Sequence, residues 1–294
     1  MPELSPFLVP HPLGGNTIDF ADPAAVKMLN RALLKAHYGV AHWDIPRGYL
    51  CPPIPSRADY LHYAADLLAE DLASALPRGP AVKVLDIGTG ANCVYPLIGA
   101  HTYGWRFVGT DIDPVAVNWA NQLVAANPPL AKKIECRLQT EANAILKNIV
   151  HRGESFALSI CNPPFHASPE EATAGTLRKL KNLDGGKPAK AVLNFGGQNN
   201  ELWCRGGEEA FVRRMIVESA ARPELCVWFT TLVSKRGTLP ALDRELAKAR
   251  VIDVRTLVMF AGQKQSRIVA WTFLPDTERK QRLRGCSSQF CAGA

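Results

Sequence analysis

The 294-residue sequence has no apolar run approaching the roughly 20 residues that a membrane-spanning helix needs. Its start, MPELSPFLVPHPLGG, has no basic segment followed by an apolar one, so no export signal is read there. A cytoplasmic location, with no membrane partner, is the expectation. The chain has eight cysteines, at positions 51, 93, 136, 161, 204, 226, 286 and 291, but no Cys-x-x-Cys pair and no histidine pair at metal-ligand spacing. Neither a zinc site nor a disulfide framework is indicated; no metal is expected, and the cysteines are read as reduced thiols, several of them core filler. Internal repeats and low-complexity segments are also lacking.

What is present is 47% hydrophobic and 21% charged residues, enough to bury a full core in one large domain or two small ones. The formal net charge is +7, which attracts an anionic partner at long range. The basic residues cluster at Arg178-Lys179-Leu180-Lys181 with Lys187 and Lys190, at Lys235-Arg236, at Lys264 with Arg267, and at Arg279-Lys280-Gln281-Arg282-Leu283-Arg284. Any one of these suits a solvated loop equally well. Four clusters flanking strand ends make an anion-binding surface if those ends converge.

Three regions are expected: residues 1–80, a helical extension with a proline-rich loop; 81–275, the main domain; and 276–294, a basic tail. Helical patterns run from Asp22 to Tyr38, where Asp22 suits an N-cap and Pro23 a first turn, and from Arg57 to Leu76. The stretch WDIPRGYLCPPIPSRADY between them is too rich in proline for a helix or central strand. From residue 81 strand and helix alternate. Strands are expected at 81–87, 106–110, 133–138, 156–160, 226–233, 251–260 and 267–273, and helices at 114–126, 207–221 and 240–250. Strands separated by helices imply a parallel sheet covered on both faces. Only Ala261 to Ser266 separate the last two strands, so these must form an antiparallel hairpin at one edge. The fold class expected is α/β, Rossmann-like, with a mostly parallel seven-stranded sheet, as in class I methyltransferases.

VLDIGTGANC, Val84 to Cys93, is a strand running into a glycine turn at Gly88 and Gly90. Glycine lets the backbone turn tightly and approach a ligand. A dinucleotide site would favour a third glycine where Cys93 stands. About twenty residues on, VGTDID places Asp111 where a carboxylate can accept both ribose hydroxyls of a nucleoside. The D-x-G-x-G form points to S-adenosyl-L-methionine (SAM), yielding S-adenosyl-L-homocysteine, with Asp86, Gly88, Gly90, Asn92 and Asp111 as the expected contacts. An ordinary strand-to-helix turn would explain the glycines too, and an N-cap would explain Asp111, although Asp113 before Pro114 suits that role better.

CNPPF follows the next strand, at the sheet edge where open α/β folds bind ligands. An exocyclic amine on a base is a poor nucleophile because its lone pair is delocalised into the ring. The Asn162 side-chain oxygen and the Pro163 carbonyl can accept both amine hydrogens, and proline aims that carbonyl by fixing φ. Phe165 offers a stacking face. Asn162 also lies beside the expected cofactor. Taken alone the motif serves adenine N6, guanine N2 or a glutamine side chain, and His166 suits substrate contact or packing.

Beyond the site, the blocks WDIPRGYLCPPIPSRADY, LDIGTGANCVYPLIGAHTYGWRFVGTDID, ICNPPFH, LNFGGQNNELWCRGGEEAFVRRMI, WFTTLVSKRGTLPAL and AGQKQSRIVAWTF resemble the bacterial 23S rRNA adenine N6-methyltransferase family, over nearly the whole chain. The resemblance implies N6-methylation of a flipped-out adenine in 23S rRNA, free or within a large-subunit assembly intermediate, by a monomer. A guanine N2 or glutamine methyltransferase, or a non-catalytic RNA binder of the same fold, is the alternative. The resemblance also implies that Asn162, Pro163, Pro164 and Phe165 are the catalytic tetrad, that Arg57 contacts the cofactor carboxylate, that Gln139 and Thr140 lie near its adenine, and that Lys235, Lys264 and Arg267 approach RNA. It also implies that Asn194-Phe195-Gly196-Gly197 and Glu201-Leu202-Trp203 order a loop over the target base. The first residues depart from the pattern: the family carries a short basic leader with an HPRN-like segment, to which MPELSPFLVPHPLGG has no counterpart.

Overall fold

The computed structural model describes residues 2–73, 76–173, 199–261 and 264–287. A short hairpin, β1 (Leu8–Pro10) with β2 (Asn16–Ile18), precedes α1 (Pro23–Tyr38). The Asp22 carboxylate accepts the Ala24 amide at 2.8 Å and so starts α1, and Gly39, at φ 61°, ends it. The proline-rich stretch leads to α2 (Ile54–Glu70), which begins earlier than expected because Pro55 fits a first turn, and stops at Glu70 rather than Leu76.

The alternating region follows: β3 (Lys83–Ile87), α3 (Val94–Thr102), β4 (Arg106–Asp111), α4 (Pro114–Ala125), α5 (Pro128–Ala131), β5 (Ile134–Leu138) and β6 (Phe156–Cys161). Then come α6 (Asn199–Leu202), α7 (Gly207–Ala220), β7 (Cys226–Val233), α8 (Leu239–Ala249), β8 (Asp253–Ala261), β9 (Lys264–Thr272) and α9 (Asp276–Ser287). Seven strands form one sheet in the order β5-β4-β3-β6-β7-β9-β8. The first five are mutually parallel; β9 runs antiparallel to both β7 and β8.

Every residue of β6 and β7 is buried, so both sheet faces are covered. On one face Leu61, Leu68, Ile98, Trp105 and Trp228 share a core; on the other Val212, Met215, Leu242, Leu246 and Trp271 do. Among the described residues no helix is long and apolar enough to cross a membrane.

Further segments differ from expectation. α3 was not anticipated, and its Gly99 shows why it packs so closely on the sheet: a Cβ there would lie 2.3 Å from the Phe107 ring. The hairpin strands are longer, reaching Ala261 and starting at Lys264, which leaves a shorter connection than Ala261 to Ser266. The segment from 276, expected to be a basic tail, is helical as far as Ser287. There Leu283 is buried and Arg279 pairs with Asp71 at 3.1 Å, with both side chains buried. Arg279 is therefore a structural cation and not part of a basic surface.

Candidate active site

A cavity of about 470 Å³ opens beyond the carboxyl ends of β3, β4 and β6. It gathers Arg57 from α2, Gly88, Gly90 and Asn92 from the turn after β3, and Asp111 from the end of β4. Gln139 after β5, and Asn162, Pro163 and Pro164 after β6, complete the residues expected there. β3 lies between β4 and β6, the point at which strand order reverses and such sheets bind ligands.

The glycine turn is pinned to β4. The amides of Gly88 and Thr89 donate to the Thr110 carbonyl at 2.8 and 2.9 Å. Gly88 has φ 75° and open space where a Cβ would stand, so glycine is there for conformation and leaves room above the turn. The Gly90 amide donates to Asp111 Oδ2 at 2.9 Å and the Asp113 amide to Asp111 Oδ1 at 3.0 Å. Each Asp111 oxygen thus holds one amide and keeps further acceptor capacity. Burial raises the Asp111 pKa against the pull of these amides. Asp113, not Asp111, caps α4, accepting the Val115 amide at 2.9 Å.

Asp86 does not take the place expected of it. It is fully buried beneath the turn and forms no part of the cavity wall, and neither carboxylate oxygen has a hydrogen-bond partner among the described residues. Burial pushes its pKa up to about 7, with Asp111 adding to the rise and the nearby Thr89 hydroxyl and Arg57 opposing it. Gln139 lines the cavity, but its carboxamide is engaged within its own loop. It donates to the Lys147 carbonyl at 2.8 Å and accepts the Glu141 amide at 2.9 Å. Thr140 is exposed and lies outside the wall. Arg57 is buried with its guanidinium 5.7 Å from the Tyr95 ring centre, and forms no salt bridge among the described residues.

The reaction loop presents an unmet acceptor. Asn162 Oδ1 is buried without a hydrogen-bond partner, and the Pro163 carbonyl accepts no hydrogen bond among the described residues. Phe165 is half-buried and stands outside the cavity wall. The loop is held by the segment ahead of α7: His166 N–H donates to the Leu202 carbonyl at 3.0 Å, and Cys204 N–H to the His166 carbonyl at 3.1 Å. Gly207, at φ 64°, allows the approach, since a Cβ there would lie 3.2 Å from the Ala167 nitrogen.

This pairing brings Trp203, Cys204, Arg205, Phe211 and Arg214 to the cavity. Of these, only Trp203 was singled out from the sequence; the Gly206-Gly207 pair opening a helix was the available signal. The proline-rich loop forms the roof through Leu50 and Pro52. Its ties are Trp43 Nε1 to the Asn92 carbonyl (2.9 Å), the Tyr49 hydroxyl to Asp113 Oδ2 (2.6 Å), and the Leu50 amide to Glu201 Oε2 (3.0 Å).

Lys235 and Arg267 lie outside the cavity, near one another: Arg267 pairs in register with Val233, two residues before Lys235. The Lys264 side chain, the Arg178 to Lys190 cluster and Asn194 to Gly197 lie outside the described residues.

A family described as RNA methyltransferase matches residues 1–275. Ribosomal RNA large subunit methyltransferase F of Serratia proteamaculans (strain 568) is 55% identical over 273 residues, 92% of this chain and 81% of that protein. The protein of that name from Pseudomonas savastanoi pv. phaseolicola is 55% identical over 280 residues, 95% of this chain and 85% of that one. Among solved structures, the human METTL16 catalytic domain in complex with the MAT2A 3'UTR hairpin 1 superposes with TM-score 0.77 at 28% identity, covering 94% of this chain and 89% of that one. The N-terminal domain of human METTL16 in complex with SAH gives 0.72 at 26% identity, with 93% and 91% covered. The chain belongs to the RNA methyltransferase family and has the class I SAM-dependent methyltransferase fold.

Proposed function

We propose that the protein transfers a methyl group from SAM to the exocyclic N6 of one adenine in 23S ribosomal RNA, free or within a large-subunit assembly intermediate. The observation that carries this reading is Asn162 Oδ1, buried and unpartnered among the described residues, in a loop whose Asn162 and Pro163 both line the cavity. A buried acceptor left unmet costs about 1–3 kcal/mol, and an amine N–H is the ligand group that removes that cost. The large-subunit rRNA methyltransferases among the relatives, and the neighbours holding SAH and an RNA hairpin, support the choice of substrate and cofactor.

The cavity fits the cofactor on four counts. Asp111 keeps acceptor capacity for two hydroxyls, and Arg57 offers a guanidinium fork to a carboxylate. Gly88 leaves open space for a close backbone approach, and Asn92 borders the same turn. When bound, SAM supplies an electrophilic methyl on a positively charged sulfur. The protein positions the nucleophile. Asn162 Oδ1 and the Pro163 carbonyl accept the two amine hydrogens and hold the nitrogen with its lone pair directed into the cavity. Positioning and aligned dipoles then lower the barrier, and the proton leaves after transfer without a strong base. A paired base cannot reach these acceptors, so the adenine must be unpaired or flipped out. Acting on such a substrate, the enzyme works in the cytoplasm, as a monomer.

Nucleoside mass spectrometry of 23S rRNA from cells with and without the gene tests the reading. Loss of N6-methyladenosine at one position is expected. Unchanged adenine methylation would remove it, and loss of N2-methylguanosine instead would move the activity to guanine.

A further inference from the structure

We propose that a basic hollow at the amino ends of β3, β4 and β5, at the opposite end of the sheet from the cofactor cavity, holds the phosphodiester backbone of ribosomal RNA outside the target loop. The choice of RNA as the anion rests on the function proposed above.

A second cavity, of about 300 Å³, lies at that end, and Lys83, Arg106, Lys132, Lys133, Glu135 and Glu154 line it. Lys83 opens β3, Arg106 opens β4, and Lys132 and Lys133 precede β5, so the sheet gathers cations that are far apart in the chain. Lys83 and Arg106 are register partners on parallel strands. Such partners leave the same face of the sheet, about 5 Å apart at ordinary strand spacing. Like charges that face one another there are destabilising. Among the described residues Lys83, Arg106 and Lys132 have no acidic partner, and the Lys133 ammonium meets only the Ala100 carbonyl, at 3.2 Å.

The two carboxylates in the hollow do not offset these charges. Arg137 holds both, Glu135 at 2.8 and 2.9 Å and Glu154 at 2.7 and 2.8 Å. With Arg137 added to the four lining cations, five positive charges stand against two negative ones. An anion in the hollow relieves that repulsion. Phosphate suits it better than an acidic protein surface does, because none of the large apolar residues exposed among the described residues lines it, and a protein interface is built round an apolar core.

β4 joins the two ends of the sheet: Arg106 starts it beside the hollow, and Asp111 ends it on the cavity wall. Its length is roughly 17 Å at the ordinary rise per residue. β5 is the edge strand on this side, so RNA that touches both ends bends round β5. A short stem-loop with its adenine in the cavity occupies one end alone. A long folded rRNA segment reaches both, which makes the hollow a sensor of substrate size.

The test is filter binding of the full chain to two labelled RNAs, a short hairpin with an unpaired adenosine in its loop and the full-length unmodified 23S transcript. Lys83→Gln, Arg106→Gln and Lys132→Gln are compared singly and together. For the long transcript the triple variant is expected to bind about tenfold or more weakly, and to lower the slope of log K against log salt by about 2, the share of three phosphate contacts. Hairpin binding, SAM affinity by calorimetry and thermal stability should not fall. An unchanged slope on the long transcript overturns the proposal, and an equal loss on both RNAs overturns the separate site. Loss of binding to large-subunit precursor particles, with naked transcript bound as by the parent, assigns the hollow to an acidic protein instead. Dependence on these residues in a protein that methylates no adenine keeps the hollow as an RNA site and sinks the activity reading alone.

Discussion

The buried hydroxyl of Tyr60 accepts the backbone amide of Cys161, the residue immediately before Asn162, at 3.2 Å. The same oxygen lies 2.7 Å from Thr230 Oγ1 on β7. α2 thereby grips the end of β6 where the reaction loop begins. Tyr60→Phe keeps the ring and removes the acceptor. The expected result is a loss of about 1 kcal/mol in stability and a lower kcat, with the KM for SAM little changed. Wild-type turnover in this variant would show that the grip does not position Asn162.

Asn162→Ala removes one of the two acceptors proposed for the amine. Tritium transfer from labelled SAM to unmodified rRNA is expected to fall about a hundredfold or more, by analogy with deleting one preorganised partner of a transition state. SAM binding by calorimetry should persist, which separates lost chemistry from a lost cofactor.

Asp86 gives a pH signature. Its carboxyl keeps its proton up to about pH 7 in the folded protein, against an ordinary value of 3.8. Between those values folding takes up a proton, so stability falls as pH rises through the window and levels off above it. Asp86→Asn cannot ionise. It should remove that slope and leave the variant more stable than the parent at pH 8, by on the order of a few kcal/mol. Thermal unfolding at pH 5 and pH 8 measures this, and parallel curves for parent and variant would contradict it.

Arg279 is ringed by Asp71, Asp253 and Asp276, with its guanidinium carbon 5.0 Å from the Trp228 ring centre. Trp228 Nε1 donates to the same Asp71 at 2.8 Å. Breaking a buried pair leaves an uncompensated charge, so Arg279→Ala should cost about 3–5 kcal/mol. Adding Asp71→Asn should recover part of it. Chemical denaturation of the two single variants and the double variant closes the cycle.

RNA affinity should weaken steeply with salt. Lys235→Ala and Arg267→Ala are each expected to lower the slope of log K against log salt by about 0.7–0.9, the share of one phosphate contact. Titrations at several salt concentrations decide it, and unchanged slopes would take both residues off the RNA path.

The strands were legible because β-rich runs bounded by turn residues identify buried sheet directly. The glycine turn and the carboxyl-end position of Asn162 followed from the same pattern. α3 was not: VYPLIGAHT is buried on nearly every side, so it shows no amphipathic period, and Pro96 and Gly99 argue against a helix. α9 was read as a tail because the partners that bury its arginine lie elsewhere in the chain, Asp71 far upstream. Spacing put Asp86 and Asp111 at one ligand, but Asp86 is enclosed under the turn while Asp111 reaches the cavity. The role of Gln139 was hidden by loop geometry, since its carboxamide closes onto Glu141 and Lys147.

The amide of Leu50, in the cavity roof, hangs on the carboxylate of Glu201, and Glu201 belongs to the short segment whose end is laced to the loop after Asn162. A nucleic acid that shifts this segment also tugs the ceiling over the cavity proposed for the methyl donor. Thermodynamic reciprocity then fixes a number in advance: whatever factor SAM adds to the grip on RNA, RNA must add to the grip on SAM.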